Sequence, residues 1–150
     1  MEVTKLILHP LVNGEKNELY QEYVYEINGY QIKVPQGFVT DLASVPRIFW
    51  SIFPPFGKYT PAAIVHDFLY SKYNTTGINR TLADKVFLFI MEELGVGYLK
   101  RKAMYRAVRS FGERSWKEKL KNDGYKDKAV VDRTEEALIY YEKWNKILKL

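Results

Sequence analysis

Polar and apolar residues alternate along the first part of the chain, then give way to a helical period. Tyr23, Tyr25 and Ile27 alternate with Val24 and Glu26, and Tyr30, Ile32 and Val34 alternate with Gln31 and Lys33. This two-residue period marks half-buried strands. It predicts strands over 20–27 and Tyr30–Val34, with a further candidate over 3–8. Asn28-Gly29 stands between the two best segments. Both residues tolerate the positive φ of a type I′ turn, so the pair predicts a tight hairpin.

From residue 35 to 61 the period disappears. Prolines at 46, 54, 55 and 61 rule out one long helix or a central strand there. An irregular stretch of that length inside a compact domain is uncommon and often belongs to a functional site. Helical spacing then takes over. Thr60-Pro61 predicts a helix start, with a hydroxyl at N-cap and proline at N1. That helix is expected to run to about Tyr73. The loop NTTGIN leads to a second helix over 80–94, closed by Gly95. So short a connection favours an antiparallel pair.

A third helix is expected over 98–121, with Met104, Ala107, Val108 and Phe111 as its apolar stripe. The segment NDGYKDK breaks the pattern. A last helix over 133–149 would place Ala137, Tyr141, Trp144 and Leu148 on one stripe. The expected fold is α+β, a small N-terminal antiparallel β-sheet followed by a bundle of about four helices. One domain over 1–150 is expected, comprising sheet (1–36), irregular connector (37–60), helical core (61–121) and C-terminal helix (130–150).

Composition narrows the chemistry. The chain has 150 residues, no cysteine, and histidine only at 9 and 66. Disulfides and zinc–thiolate sites are excluded, a multi-histidine metal centre is out of reach, and a reducing cytoplasm suits the chain. No apolar run approaches the roughly 20 residues that span a bilayer. The start, MEVTKLILHP, lacks the basic region and small-residue cleavage site of a secretory signal. Charge is uneven: residues 98–128 hold eleven Lys or Arg against four Asp or Glu, a local +7 within a net +5. Such a segment reads either as the partner of an anionic neighbour or as a solvated helix face.

The candidate chemistry sits on the first two helices. His66 and Tyr70 are four apart and share a face, while Asp67 is rotated by about 100°. Asp84 follows Arg80 by four residues near the start of an otherwise apolar helix. In an antiparallel pair Asp84 faces the middle or end of the first helix. A carboxylate there can accept a hydrogen bond from one imidazole nitrogen, fix the tautomer and leave the other nitrogen as a base. A second carboxylate could hold a hard cation, and together they could activate water against an ester. Each part also has a structural reading. A lone helix histidine is more often a hydrogen-bonded core residue, an aspartate near a helix start favours the helix dipole, and Tyr70 can simply pack.

The conjunction resembles the bacteriophage and prophage family numbered 1353 among domains of unknown function. The resemblance rests on GFVTDLASVPR (37–47, including Asp41 and Arg47), AIVHDFLY (63–70), and Arg80 with Ala83-Asp84. It weakens through Met104 to Phe111 and covers about two-thirds of the chain. It implies synthesis in a bacterial host cytoplasm, with incorporation into the virion as one outcome. Over about thirty residues the helix pair is also similar to phospholipase A₂ of the small bacterial and fungal kind. That resemblance implies His66 as general base, Asp67 as a calcium ligand, Asp84 as the orienting carboxylate and Tyr70 bonded to Asp84. Here FPPFGKYTP, with one glycine and three prolines, stands where such enzymes carry a glycine-rich calcium loop. Asp41 either completes a polar cluster or caps the turn after it.

Two function classes follow. One is a phage accessory protein that hydrolyses lipid esters, its basic third helix meeting an anionic lipid membrane. The other is a non-enzymatic virion structural or assembly component, in which the His–Asp–Tyr cluster pins the helices and the partners are other virion proteins. A nucleic-acid partner rests on charge alone, without a recognised binding motif, and ranks last.

Overall fold

The computed structural model describes residues 1–12, 16–42, 54, 56–74, 76–122, 143 and 145–148, with side chains to Lys117 in the third helix. The architecture is α+β, as the sequence predicts: antiparallel strands come first and helices follow. The strands are β1 (Leu8–Pro10), β2 (Asn17–Leu19), β3 (Tyr23–Ile27), β4 (Tyr30–Val34) and β5 (Val39–Thr40). The helices are α1 (Thr60–Tyr70), α2 (Arg80–Glu93) and α3 (Tyr98–Asn122).

The hairpin forms where Asn28-Gly29 predicts it. β3 and β4 pair antiparallel from Tyr23↔Val34 to Ile27↔Tyr30. Asn28 at φ 48° and Gly29 at φ 83° make the two-residue turn, the positive φ pair that type I′ requires. Tyr23, Tyr25, Ile27, Ile32 and Val34 turn inward with no exposed surface. Elsewhere the strands differ from expectation. The segment over 20–27 does not run as one strand, because residues 20–22 bend between β2 and β3. The strand expected over 3–8 starts only at Leu8. The residues before it reach β3 through a Glu2–Tyr25 bridge and the bond from Val3 N–H to Val24 C=O.

Two small sheets replace the single one expected. β2 lies in the middle of a three-stranded sheet, with β1 on one side and β5 on the other. Their registers are Leu8↔Leu19 and Glu18↔Val39. β5 lies inside GFVTD, which the prolines further on make look irregular. The pairing is nevertheless favourable, because Leu19 N–H reaches Phe38 C=O and Gly37 N–H reaches Leu19 C=O. Most of the connector that follows, with Arg47, lies outside the described residues.

α1 is the central element. From Ala62 to Tyr70 every residue is buried. A helix buried all round must be surrounded by other elements. It packs on α2, on α3 and on β4. Its start corrects the expected cap: Tyr59 holds the N-cap position, while the Thr60 hydroxyl accepts from Gly57 N–H instead. Its end is also earlier than expected. Ser71 turns extended and its hydroxyl donates to Phe68 C=O, so the helix stops at Tyr70 rather than Tyr73. α2 opens with a true cap, the Asn79 side chain accepting from Leu82 N–H at 2.9 Å. On α3 the expected stripe is corrected by one position. Phe111 is 52% exposed, and the inward line is Met104, Val108, Gly112 and Trp116. That four-residue spacing keeps one face of the helix on α1 and α2. Among the C-terminal positions, 143 and 145–148 are helical and Leu148 is buried. The rest of the expected last helix lies outside the described residues. No described helix is long and apolar enough to cross a membrane.

Candidate active site at the α1–α2–α3 junction

Three helices supply one polar cluster. His66 and Tyr70 lie on the same face of α1, their ring centroids 4.2 Å apart. Phe87 of α2 closes the other side of the imidazole at 4.9 Å. Asp84, near the start of α2, projects between them with no exposed surface. Its Oδ1 accepts from His66 Nε2 at 2.7 Å and from the Tyr70 hydroxyl at 2.6 Å. Its Oδ2 accepts from Arg109 Nη1 of α3, also at 2.7 Å.

A buried carboxylate is tolerated only when it is paired and hydrogen-bonded. Burial alone would raise the Asp84 carboxyl, but the hydrogen bond from His66, then those from Tyr70 and Arg109, hold it below the usual carboxylate range. The group is therefore an anion at neutral pH, and an anion only accepts. The proton on the facing ring nitrogen therefore sits on Nε2. Burial, then the Asp84 charge, push the Tyr70 phenol far upward, so it stays a donor. Burial works against the Arg109 cation, but the Asp84 hydrogen bond and charge outweigh it. Among the described residues, nothing hydrogen-bonds His66 Nδ1. The imidazole is thus oriented with one nitrogen committed and the other available as an acceptor.

Asp67 points elsewhere, as its rotation along α1 predicts. The Thr40 hydroxyl donates to Asp67 Oδ2 at 2.5 Å and accepts from Leu42 N–H at 3.0 Å. Leu42 is held at φ 57°, a strained value for a buried leucine. Phe38 packs edge-on against Phe68 at 5.8 Å. The GFVTD segment is therefore docked on the helix that carries His66-Asp67, with a ring pair and a hydroxyl bridge among the described contacts.

Asp41 is exposed, beside this contact rather than inside the His66 cluster. Arg47 lies outside the described residues. Arg80 is half-buried and donates through Nη2 to the Arg109 carbonyl. Arg109 and Gly112 carried no signal in the sequence beyond a basic residue and a lone helix glycine. The glycine is the better clue, since one inside a helix often marks a close approach. A Cβ at Gly112 would stand 2.8 Å from the Tyr70 hydroxyl.

The described residues at Asp67 do not by themselves make a calcium site. That ion takes six to eight oxygens. Here one carboxylate oxygen already serves Thr40, and the described residues contain no group of three acidic or imidazole side chains able to hold a metal.

A family model described as "Protein of unknown function (DUF1353)" matches residues 17–108. That span runs from β2 into α3 and contains every described member of the cluster except Arg109 and Gly112. A similar protein is the "Uncharacterized protein y4jT" of Sinorhizobium fredii (strain NBRC 101917 / NGR234), 38% identical over 87 residues. The match covers 57% of this chain and 25% of that protein, so the chain spans about a quarter of the length of this curated relative. No solved structure matches the chain.

Proposed function

The chain belongs to the DUF1353 family, and on that premise we propose that it is a phage accessory hydrolase of lipid esters, with His66 as general base. One observation carries the proposal. Asp84 binds His66 through Nε2, which leaves Nδ1 in the acceptor form that proton abstraction requires. Nδ1 takes a proton from water as the water oxygen attacks the ester carbonyl carbon. The bond to the alcohol oxygen then breaks, and the proton returns from the imidazolium to the leaving alkoxide. The products are one acid and one alcohol, and the histidine is regenerated. Tyr70 and Asp84 hold the ring through this cycle without touching substrate. General base catalysis of this kind contributes about 10²–10⁴-fold. Calcium is given no step, because the described residues at Asp67 do not by themselves make a site for it.

The substrate class follows from the resemblance of the HDFLY helix pair to phospholipases and from the cationic α3, which suits an anionic lipid surface. The test is turnover of mixed phosphatidylcholine and phosphatidylglycerol vesicles by the purified protein, with calcium and with a chelator. Wild type should release fatty acid and His66→Ala should not, with both folded. No turnover in either condition ends this reading.

A second reading has its own observation. His66 is 4% exposed, and Asp84 is bonded by α1 and α3 at once. Such a satisfied network pins three helices whatever else it does. In this reading the protein is a virion structural or assembly component. It would then be found as an ordered part of isolated particles, and His66→Ala would lower stability with no activity to lose.

A further inference from the structure

We infer that Arg109 is a positioning residue that sets the protonation balance of His66 by neutralising Asp84 from the opposite side. The consequence for catalysis rests on the hydrolase reading; the electrostatic coupling does not.

The two oxygens of Asp84 are divided between helices. Oδ1 serves His66 and Tyr70, both from α1, and Oδ2 serves Arg109 from α3. Turning the carboxylate away from the imidazole would therefore break the guanidinium bond as well. The division also balances charge. Without the guanidinium, the imidazole would face a carboxylate that has lost its direct ion-pair partner and has no exposed surface of its own. Such a neighbour favours the imidazolium, which is useless as a base. With Arg109 in place the imidazole faces a neutral ion pair.

The fold brings Arg109 there by two devices. Arg80 grips the Arg109 backbone by donating to its carbonyl. Gly112, one turn further on, lets α3 approach Tyr70 closely. Arg80 is a second cation nearby that acts on Tyr70 and Glu113, but the direct hydrogen bond and ion pair to Asp84 come from Arg109. The other titratable groups that act on the guanidinium are Tyr105 of its own helix and Tyr70 of α1. A purely structural role would be met by any donor to Oδ2; the proposed role needs a positive charge.

The experiment follows the His66 ring-proton resonances by NMR against pH in wild type, Arg109→Gln and Arg109→Lys, with His9 assigned from its loss in His9→Gln. In R109Q the His66 midpoint should rise by about one pH unit, roughly tenfold in proton affinity. In R109K, which keeps the charge, it should stay at the wild-type position. Wherever esters are hydrolysed, the acid limb of the rate profile should move with it. An unmoved midpoint in folded R109Q overturns the inference, as does an R109K midpoint displaced as far as that of R109Q. If R109Q does not fold, a folded R109K with the wild-type midpoint upholds the charge role, and failure of both to fold overturns it. A moved midpoint in a protein that hydrolyses no ester refutes the hydrolase reading and leaves this inference standing. Turnover with an unmoved midpoint does the reverse.

Discussion

Replacing Gly112 with alanine sets two effects of known size against each other. Gly112 lies inside α3, where alanine ordinarily stabilises a helix by about 1 kcal/mol. Here the new Cβ would meet the Tyr70 hydroxyl at 2.8 Å and ring atoms Cε2 and Cζ at 3.4 Å. Ordinary contact begins near 3.4 Å, so the ring or the helix must give by about 0.6 Å. Neither yields freely. The Tyr70 hydroxyl is tied to Asp84 at 2.6 Å. Trp116 stands edge-on to the ring at 5.0 Å, and the imidazole lies at 4.2 Å. Overpacking of a tight core costs about 1–3 kcal/mol. Weakening a hydrogen bond to a charged acceptor adds up to about 1.5–3 kcal/mol. The clash outweighs the helix gain, and a net loss of about 1–3 kcal/mol is expected. Urea denaturation at neutral pH measures it, in the wild type and in a Tyr70→Phe background. Without the hydroxyl the 2.8 Å contact is gone, so alanine should become nearly neutral or stabilising there. A G112A protein more stable than wild type, or an equal change in both backgrounds, would refute the geometry.

Three further outcomes follow from the same contacts. Because the Asp84 carboxyl is held low in the folded state, its stabilisation is complete above the unfolded value of about 4 and is lost as pH falls through the folded one. Urea midpoints should therefore drop more steeply below about pH 4 in wild type than in Asp84→Asn; equal slopes would contradict this. Thr40→Val removes the hydroxyl shared by Asp67 and Leu42 N–H, and thermal and urea unfolding should show a loss of about 1–3 kcal/mol. Asn79→Ala removes the α2 cap and should cost about 1 kcal/mol by the same assays, with His66 resonances unmoved.

What was legible in the sequence was what depends on local spacing. Asn28-Gly29 specifies its turn through the backbone alone, and the four-residue interval from His66 to Tyr70 fixes a shared helix face. Asp84 was legible as well, because a single carboxylate in an apolar helix run needs partners, and a short loop limits where they can be. β5 was not legible. Two residues carry no period, and their pairing with Asn17 and Glu18 is decided more than twenty residues away. The true inward face of α3 was obscured by Phe111, which hydrophobicity alone assigns to the core. The close approach of Tyr70 selects Gly112 for the inner line instead.

Arg109 shows why charge read along a sequence differs from charge presented by a fold. The basic segment suggests a uniform cationic face, yet its members are in different situations. Arg109 borders the buried line through Val108 and Gly112, so its guanidinium reaches inward to Asp84. Arg101 is bonded to Glu92 at 2.8 Å and Lys117 to Glu113 at 2.5 Å. Lys100 and Lys102 lie over the rings of Tyr59 and Tyr98. Among the described residues the charge presented to solvent is therefore smaller than the formal count implies, and in the first turns of α3 half-exposed Lys100 and Lys102 and exposed Arg106 stand near exposed Tyr98 and Leu99. Cations interleaved with exposed apolar groups suit a lipid interface better than a phosphate backbone, which rewards dense, unpaired charge. One helix thus divides its positive charge by face: the Arg109 guanidinium reaches inward to the Asp84 carboxylate, while Arg106 stays exposed.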